Sequence, residues 1–164
     1  MPPQGDPARI RSAGPGDAGH LLRLIRELAT YERMPDAVET SEADLQRHLF
    51  SADPRVFALL AEVDGTVVGM AIYFVSFSTW TGRHGLYLED LFVEPAHRSG
   101  GIGRALMRAL ATRAVELGYR RLEWAVLDWN EPAVSFYRAL GAVPLPDWTT
   151  FRLSGERLER LAES

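Results

Sequence analysis

His97-Arg98-Ser99-Gly100-Gly101-Ile102-Gly103-Arg104-Ala105-Leu106 reads HRSGGIGRAL. Three glycines and two arginines stand at the start of an apolar-periodic run. Glycine permits positive φ and lets a ligand approach the backbone closely. A helix that begins here turns its unpaired N–H groups and the positive end of its dipole toward the loop. The stretch therefore predicts an anion site, with phosphate as the first expectation. Two familiar phosphate loops do not fit. The nucleoside triphosphate loop continues Gly-Lys-Ser/Thr, whereas Gly103 is followed by Arg104-Ala105. The dinucleotide pattern G-x-G-x-x-G can start at Gly101, but Leu106 then occupies the third glycine position, and the loop lies past mid-chain.

Working outward, Leu86 to Val93 reads as a strand entering the loop, and Gly101 to Leu117 as the helix leaving it. Ile102, Leu106, Ala109, Leu110 and Leu117 are expected to face inward, with Gly118 as the C-cap. Upstream, residues 8–13 suit a short strand. Asp17 is placed to cap a helix to Tyr31 with Leu21, Leu24, Ile25 and Leu28 inward, and Ser41 to cap a second through Phe50. Val56 to Val63, the Asp64-Gly65 turn and Val67 to Phe77 read as a hairpin, followed by a loop over 78–84. Downstream, a strand is expected over 122–127, a helix from Asn130-Glu131-Pro132 to Gly141, a strand over 149–153 and a short helix over 156–163. The order predicts a single mixed α/β domain over residues 8–164, one central sheet flanked by helices, with residues 1–7 a mobile terminus.

The composition narrows the chemistry. The chain has 164 residues, 46% hydrophobic and 24% charged, with a net charge of −4. No global basic field points to nucleic acid. Cysteine is absent, which excludes disulfides and thiolate catalysis in this chain. All 18 basic residues are arginine, so no lysine can form a Schiff base or serve a phosphate loop. His20, His48, His84 and His97 show no metal-ligand spacing, and no metal is expected. No run is long or apolar enough to predict a membrane span. MPPQGDPARI lacks an apolar signal core, and a cytoplasmic location is the default expectation.

Arg98-x-x-Gly101-x-Gly103, after a strand and before an amphipathic helix, resembles the coenzyme A pyrophosphate loop of the GNAT N-acetyltransferase superfamily. Asn130-x-x-Ala133-x-x-x-Tyr137-x-x-x-Gly141 is similar to the second signature of that superfamily. Helical spacing puts Ala133 and Tyr137 on one face, and the small Ala133 leaves room beside the ring. Further segments resemble the spermidine/spermine N-acetyltransferase family. They are Leu24-Ile25-Arg26-Glu27-Leu28-Ala29-Thr30-Tyr31-Glu32, Trp80-Thr81-Gly82-Arg83, Leu86 to Val93 and Trp129-Asn130-Glu131-Pro132. Ala125-Val126-Leu127-Asp128-Trp129-Asn130 is closer to the thialysine N-acetyltransferase branch. The likeness spans residues 8–163.

This resemblance implies an acetyl-CoA-dependent enzyme that acetylates a primary amine of a small molecule. The implied coenzyme contacts are the backbone of Leu91, Phe92 and Val93 along the pantetheine, and Arg98, Ser99, Gly100, Gly101, Ile102, Gly103 and Arg104 around the pyrophosphate. Asn130, Ala133 and Tyr137 complete them. The implied base is Glu89, acting through a water, and the implied acid is Tyr137, protonating the departing thiolate. Tyr31, Glu32, Trp80, Glu89 and Asp90 are implied to line the amine site. Simple alternation sets Tyr87, Glu89, Leu91 and Val93 on one face and Leu88, Asp90 and Phe92 on the other. A bulge, usual in the superfamily, would bring Asp90 partly into the site. The polyamine branch carries an aspartate just before its loop tryptophan, where this chain reads Ser78-Thr79-Trp80. The resemblance therefore implies thialysine, a lysine analogue or a short diamine ahead of polyamines, with Arg83 as a candidate partner for an α-carboxylate, and a homodimer. A protein or peptide N-acetyltransferase and a non-turnover acyl-CoA-binding module remain the alternatives.

Overall fold

The computed structural model describes residues 8–163; the segment 1–7 expected to be mobile lies outside them. The elements are β1 (Arg9–Ser12), α1 (Ala18–Tyr31), α2 (Glu42–Leu49), β2 (Val56–Val63), β3 (Thr66–Ser78), β4 (Arg83–Val93), α3 (Ile102–Glu116), β5 (Leu122–Glu123), α4 (Glu131–Ala139) and α5 (Glu156–Ala162). One compact unit runs to Leu127 and contains the whole sheet; a second begins at Asp128 and carries α4 and α5.

In the first unit the sheet order is β1-β2-β3-β4-β5. The first four strands pair antiparallel, and β5 joins β4 in parallel. Asp64 and Gly65, at φ 50° and 76°, make the tight β2–β3 turn that the Asp-Gly pair predicts. Ala58, Leu60, Met70, Ile72 and Phe92 form a core on one face of the sheet with Leu21, Leu22 and Leu24 of α1 and Leu45 and Leu49 of α2. On the opposite face α3 buries Leu106, Met107 and Leu110, and its Arg113 donates to the Tyr73 hydroxyl of β3. Leu117, expected inward, is 55% exposed, because it is the C-cap of α3 and lies past its last buried turn.

Two caps differ in how they work. Ser41 accepts from the Asp44 N–H while the Asp44 carboxylate takes the Ser41 N–H, a reciprocal box that starts α2. Asp17 does not cap α1 with its side chain, contrary to expectation. A 3-10 turn over Pro15–Asp17 leads into α1 instead. The Asp17 carboxylate accepts from Gly14 N–H at 2.7 Å and from both terminal nitrogens of Arg11 at 2.7 and 2.9 Å. Arg11 also donates from Nε to Glu62 at 2.7 Å, so one guanidinium ties β1, β2 and the entry to α1.

Two expected strands shrink or vanish. The strand expected over 122–127 is reduced to Leu122–Glu123, which pair with Leu86 and Tyr87. Beyond Glu123 the chain no longer pairs with β4 among the described residues. Residues 149–153 form no strand, and Phe151 is 92% exposed.

Arg11 holds the Asp17 carboxyl at about 2, below its ordinary 3.8. The stabilisation is thus complete above pH 4 and is lost as the pH falls toward 2. Asp17→Asn is expected to cost on the order of 1–2 kcal/mol at pH 7, discounted for the partly exposed arginine. Urea unfolding at pH 7 and pH 2 checks this: the gap between variant and wild type should close at the lower pH.

Candidate active site

β4 carries one residue more than its partner at a defined place. Ile72 of β3 faces Asp90, but the next residue, Tyr73, faces Leu88. Glu89 is the extra residue of a β-bulge. Directly paired residues share a face of a sheet, so the bulge exchanges the faces. Leu88, opposite Tyr73, lies on the α3 side. Asp90 and Phe92, opposite Ile72 and Met70, lie on the α1 side. The simple alternation expected from the sequence, with Leu88 and Asp90 on one face, is corrected by this slip.

The bulge gathers carboxylates. Asp90 is pushed up to about 6, first by burial and then by the negative charges of Glu89 and Glu32. Glu32, the C-cap of α1, is itself raised by burial. Glu89 is exposed. Three acidic side chains from the bulge and the end of α1 thus share one neighbourhood, which suits a cation.

Below the bulge, β4 has no strand on its β5 side from Leu88 to Val93 among the described residues, since β5 pairs only at Leu86 and Tyr87. This leaves the backbone N–H and C=O of Leu91 and the N–H of Val93 along an open edge, while the Val93 carbonyl accepts from Arg98 Nε. The glycine loop follows. A 3-10 turn over Pro95–His97 precedes Ser99 and Gly101, which hold φ 68° and 81°. Gly101 is the N-cap of α3 and offers no side-chain cap. The first helical bond runs from Ala105 N–H to Gly101 at 2.9 Å, so the Ile102, Gly103 and Arg104 N–H groups have no acceptor within the helix. A Cβ built on Gly101 meets nothing within 4 Å. Glycine is needed there for its φ, and the surrounding space is open to a ligand.

α1 grips the start of this loop. Arg23 pairs with Glu94, the residue after β4, and with Glu27 at 2.9 Å, and donates to Val67 O at 2.8 Å. Arg98 donates from Nε to Val93 O at 2.9 Å and lies 4.7 Å over the Tyr31 ring and 5.4 Å from the Phe92 ring. One face of Tyr31, expected to receive a substrate ammonium, is therefore covered by an arginine of the same chain. A cavity of about 590 Å³ opens between α1 and the loop, with Arg26, Tyr31, Phe92 and Arg98 in its wall. Sequence reading missed this α1–loop brace. Nothing local in the sequence marks Glu94 as the partner of Arg23.

Other expected residues fall elsewhere. Trp80 sits in the β3–β4 turn and is 85% exposed. Glu89 is nine positions further on, and the part within the strand alone spans roughly 20 Å. Arg83 donates to the neighbouring Gly82 O at 3.1 Å on the exposed turn. In the second unit the Asn130 side chain accepts from Ala133 N–H at 3.4 Å and caps α4. Tyr137 lies on α4 beside Phe136, ring centroids 5.3 Å apart.

Comparison with known proteins agrees with this architecture. The model of the Acetyltransferase (GNAT) family matches residues 21–142, and the chain belongs to that family of N-acetyltransferases. Thialysine N-epsilon-acetyltransferase of Bos taurus is 43% identical over 164 residues, covering 93% of this chain and 96% of that one. Spermidine/spermine N(1)-acetyltransferase-like protein 1 of Homo sapiens is 36% identical, over 94% of this chain but 24% of its own length. Among solved structures, an integron cassette protein from the mobile metagenome of V. cholerae superposes with a TM-score of 0.82 at 30% identity, covering 98% of this chain and all of that one.

Asp90 holds its proton to about pH 6 when folded, whereas an unfolded aspartate releases it near ~4. Stability should therefore fall as the pH rises from about 4 to 6. Asp90→Asn removes that penalty and is expected to gain on the order of 1–2 kcal/mol at pH 7.5 and little at pH 4. Equal gains at both values would separate the effect from ionisation.

Proposed function

We propose that the protein transfers the acetyl group of acetyl-CoA to a primary amine of a small molecule, with thialysine, a lysine analogue or a short diamine ahead of spermidine and spermine. The observation that carries this reading is the carboxylate group of Asp90, Glu89 and Glu32 at the bulge, one strand end away from an anion-receiving loop. The relatives named for thialysine and for L-ornithine acetylation, the latter of Arabidopsis thaliana at 28% identity, support an amino-acid side-chain amine.

The open β4 edge and the unpaired N–H groups at the start of α3 fit the amides and pyrophosphate of the coenzyme. Acetyl-CoA supplies a thioester whose acetyl carbon is the electrophile. An alkylammonium has a pKa near ~10 and attacks only after losing its proton. Asp90 and Glu32 hold the cation. Glu89, exposed at the bulge, accepts the proton through a water. As the new N–C bond forms and the C–S bond breaks, Tyr137 gives its hydroxyl proton to the sulfur. Its ordinary pKa of ~10 against ~8.5 for a thiol makes the transfer feasible without strong drive. In the Ser78-Thr79-Trp80 turn, Ser78 closes the bend by accepting from Thr81 N–H at 3.3 Å and brings no negative charge for a third ammonium. Trp80, far along β4 from the carboxylates of its own chain, supports a two-fold dimer in which a turn of this kind completes the partner's amine site.

The test is kcat/KM for thialysine, lysine, 1,3-diaminopropane, putrescine, spermidine and spermine with one preparation. Preference for spermidine or spermine overturns the substrate class, and turnover of none overturns the reaction. Tyr137→Phe should lower kcat on the order of 10- to 1,000-fold with acetyl-CoA affinity retained. Gly103→Glu, which sets bulk and negative charge against the first turn of α3, should fold and lose acetyl-CoA binding by calorimetry.

A further inference from the structure

Glu94 stands where β4 hands over to the glycine loop, and its polar groups are engaged on several sides. Its N–H donates to Val68 O at 2.9 Å, one residue past the end of the strand. Its carbonyl accepts from His97 N–H at 2.9 Å and closes the 3-10 turn over Pro95–His97. Carboxylate oxygen Oε1 accepts from Arg23 of α1. The other oxygen, Oε2, lies 3.4 Å from Nδ1 of His97. That approach is not a hydrogen bond. Nδ1 is sealed from solvent and has no hydrogen-bond partner among the described residues, although 34% of the His97 side chain is exposed. A buried polar atom left in this way is rare and costs stability. Here it sits on the residue that immediately precedes the anion loop.

The charges around the ring balance. From α1, Arg23 is shared between Glu94 and Glu27. From the loop, Arg98 follows His97 directly, with its guanidinium turned to Val93 O and to the Tyr31 and Phe92 rings. Two acids and two arginines thus offset one another, and no surplus of negative charge holds a second proton on the imidazole. A diphosphate arriving at the start of α3 supplies that surplus. Nearby negative charge favours the charged form of histidine, and an imidazolium has a hydrogen on both nitrogens, so that Nδ1 donates to Glu94 Oε2.

We infer that His97 is a positioning residue: its ring takes up one proton from solvent as the coenzyme binds, then donates from Nδ1 to Glu94 and ties the start of the anion loop to α1 through Glu94 and Arg23. The inference rests on the acetyl-CoA reading above and deepens it by linking coenzyme affinity to pH. Binding that takes up a proton strengthens as the pH falls, and the same linkage makes bound coenzyme favour the proton.

Titration calorimetry with acetyl-CoA, in buffers of different ionisation enthalpy, counts the protons exchanged. At pH 7 the wild type should take up about 0.3 to 0.8 of a proton more than His97→Asn, whose amide keeps a donor near the Nδ1 position but gains no charge. The difference removes any change on the coenzyme's own 3′-phosphate, which both proteins meet alike. Between pH 6 and pH 8 the wild type should lose about 3- to 10-fold more acetyl-CoA affinity than the variant. A second measurement needs no variant. In NMR spectra of the wild-type protein at pH 7, the ring of His97 should move toward its charged form when acetyl-CoA is added, while those of His20, His48 and His84 stay in place. This signal decides the matter where the variant does not fold or bind. Equal proton uptake in both proteins overturns the role of His97. So does a His97 ring whose charge state is the same with and without acetyl-CoA. Wild-type protein that binds no acetyl-CoA overturns the underlying reading instead.

Discussion

Between Ile72 and Tyr73 the β3–β4 ladder slips by one residue, and Glu89 is the residue left over. Without that slip Asp90 would continue the row of Leu86 and Leu88 beneath α3. With it, Asp90 turns to the α1 side, where Glu32 ends the helix. Burial and like charge then raise Asp90 to about 6. The arrangement is costly for a folded protein, since three acids crowd one place and one of them is buried. Such a cluster suits a cation.

The same strand sets the loop. β4 ends at Val93 with one edge paired to β3 and the other open, and the chain leaves it into a turn gripped by α1. Arg23 holds Glu94, and Arg98 reaches back to Val93 O and to Tyr31. The helix that ends in the carboxylate group therefore also fixes the start of the anion loop. Because both are tied to one helix, the carboxylates at the bulge and the start of the glycine loop keep their separation.

Much of this was legible along the chain. The glycine loop, the helix after it, the Asp64-Gly65 turn and the Ser41-Asp44 box depend on contacts a few residues apart. The residue types that satisfy those contacts are diagnostic. The early end of β5 at Glu123 and the lack of a strand at 149–153 were not legible, because a strand extends only where a second edge accepts it. Asp17 was read as a helix cap, but its carboxylate answers Arg11, six residues earlier on a strand.

The sequence by itself determined that a glycine-rich turn leads into a helix within residues 97–106, that Glu89 and Asp90 sit on the strand before it, and that the chain holds no cysteine or lysine. Only the tertiary structure decided which face each acid takes, because one inserted residue reverses every later side chain in the strand. Only it, too, set the guanidinium of Arg98 against the rings of Tyr31 and Phe92. The contact with Tyr31 joins residues more than sixty positions apart, and its physical basis is packing between α1 and the end of β4, which no local pattern encodes.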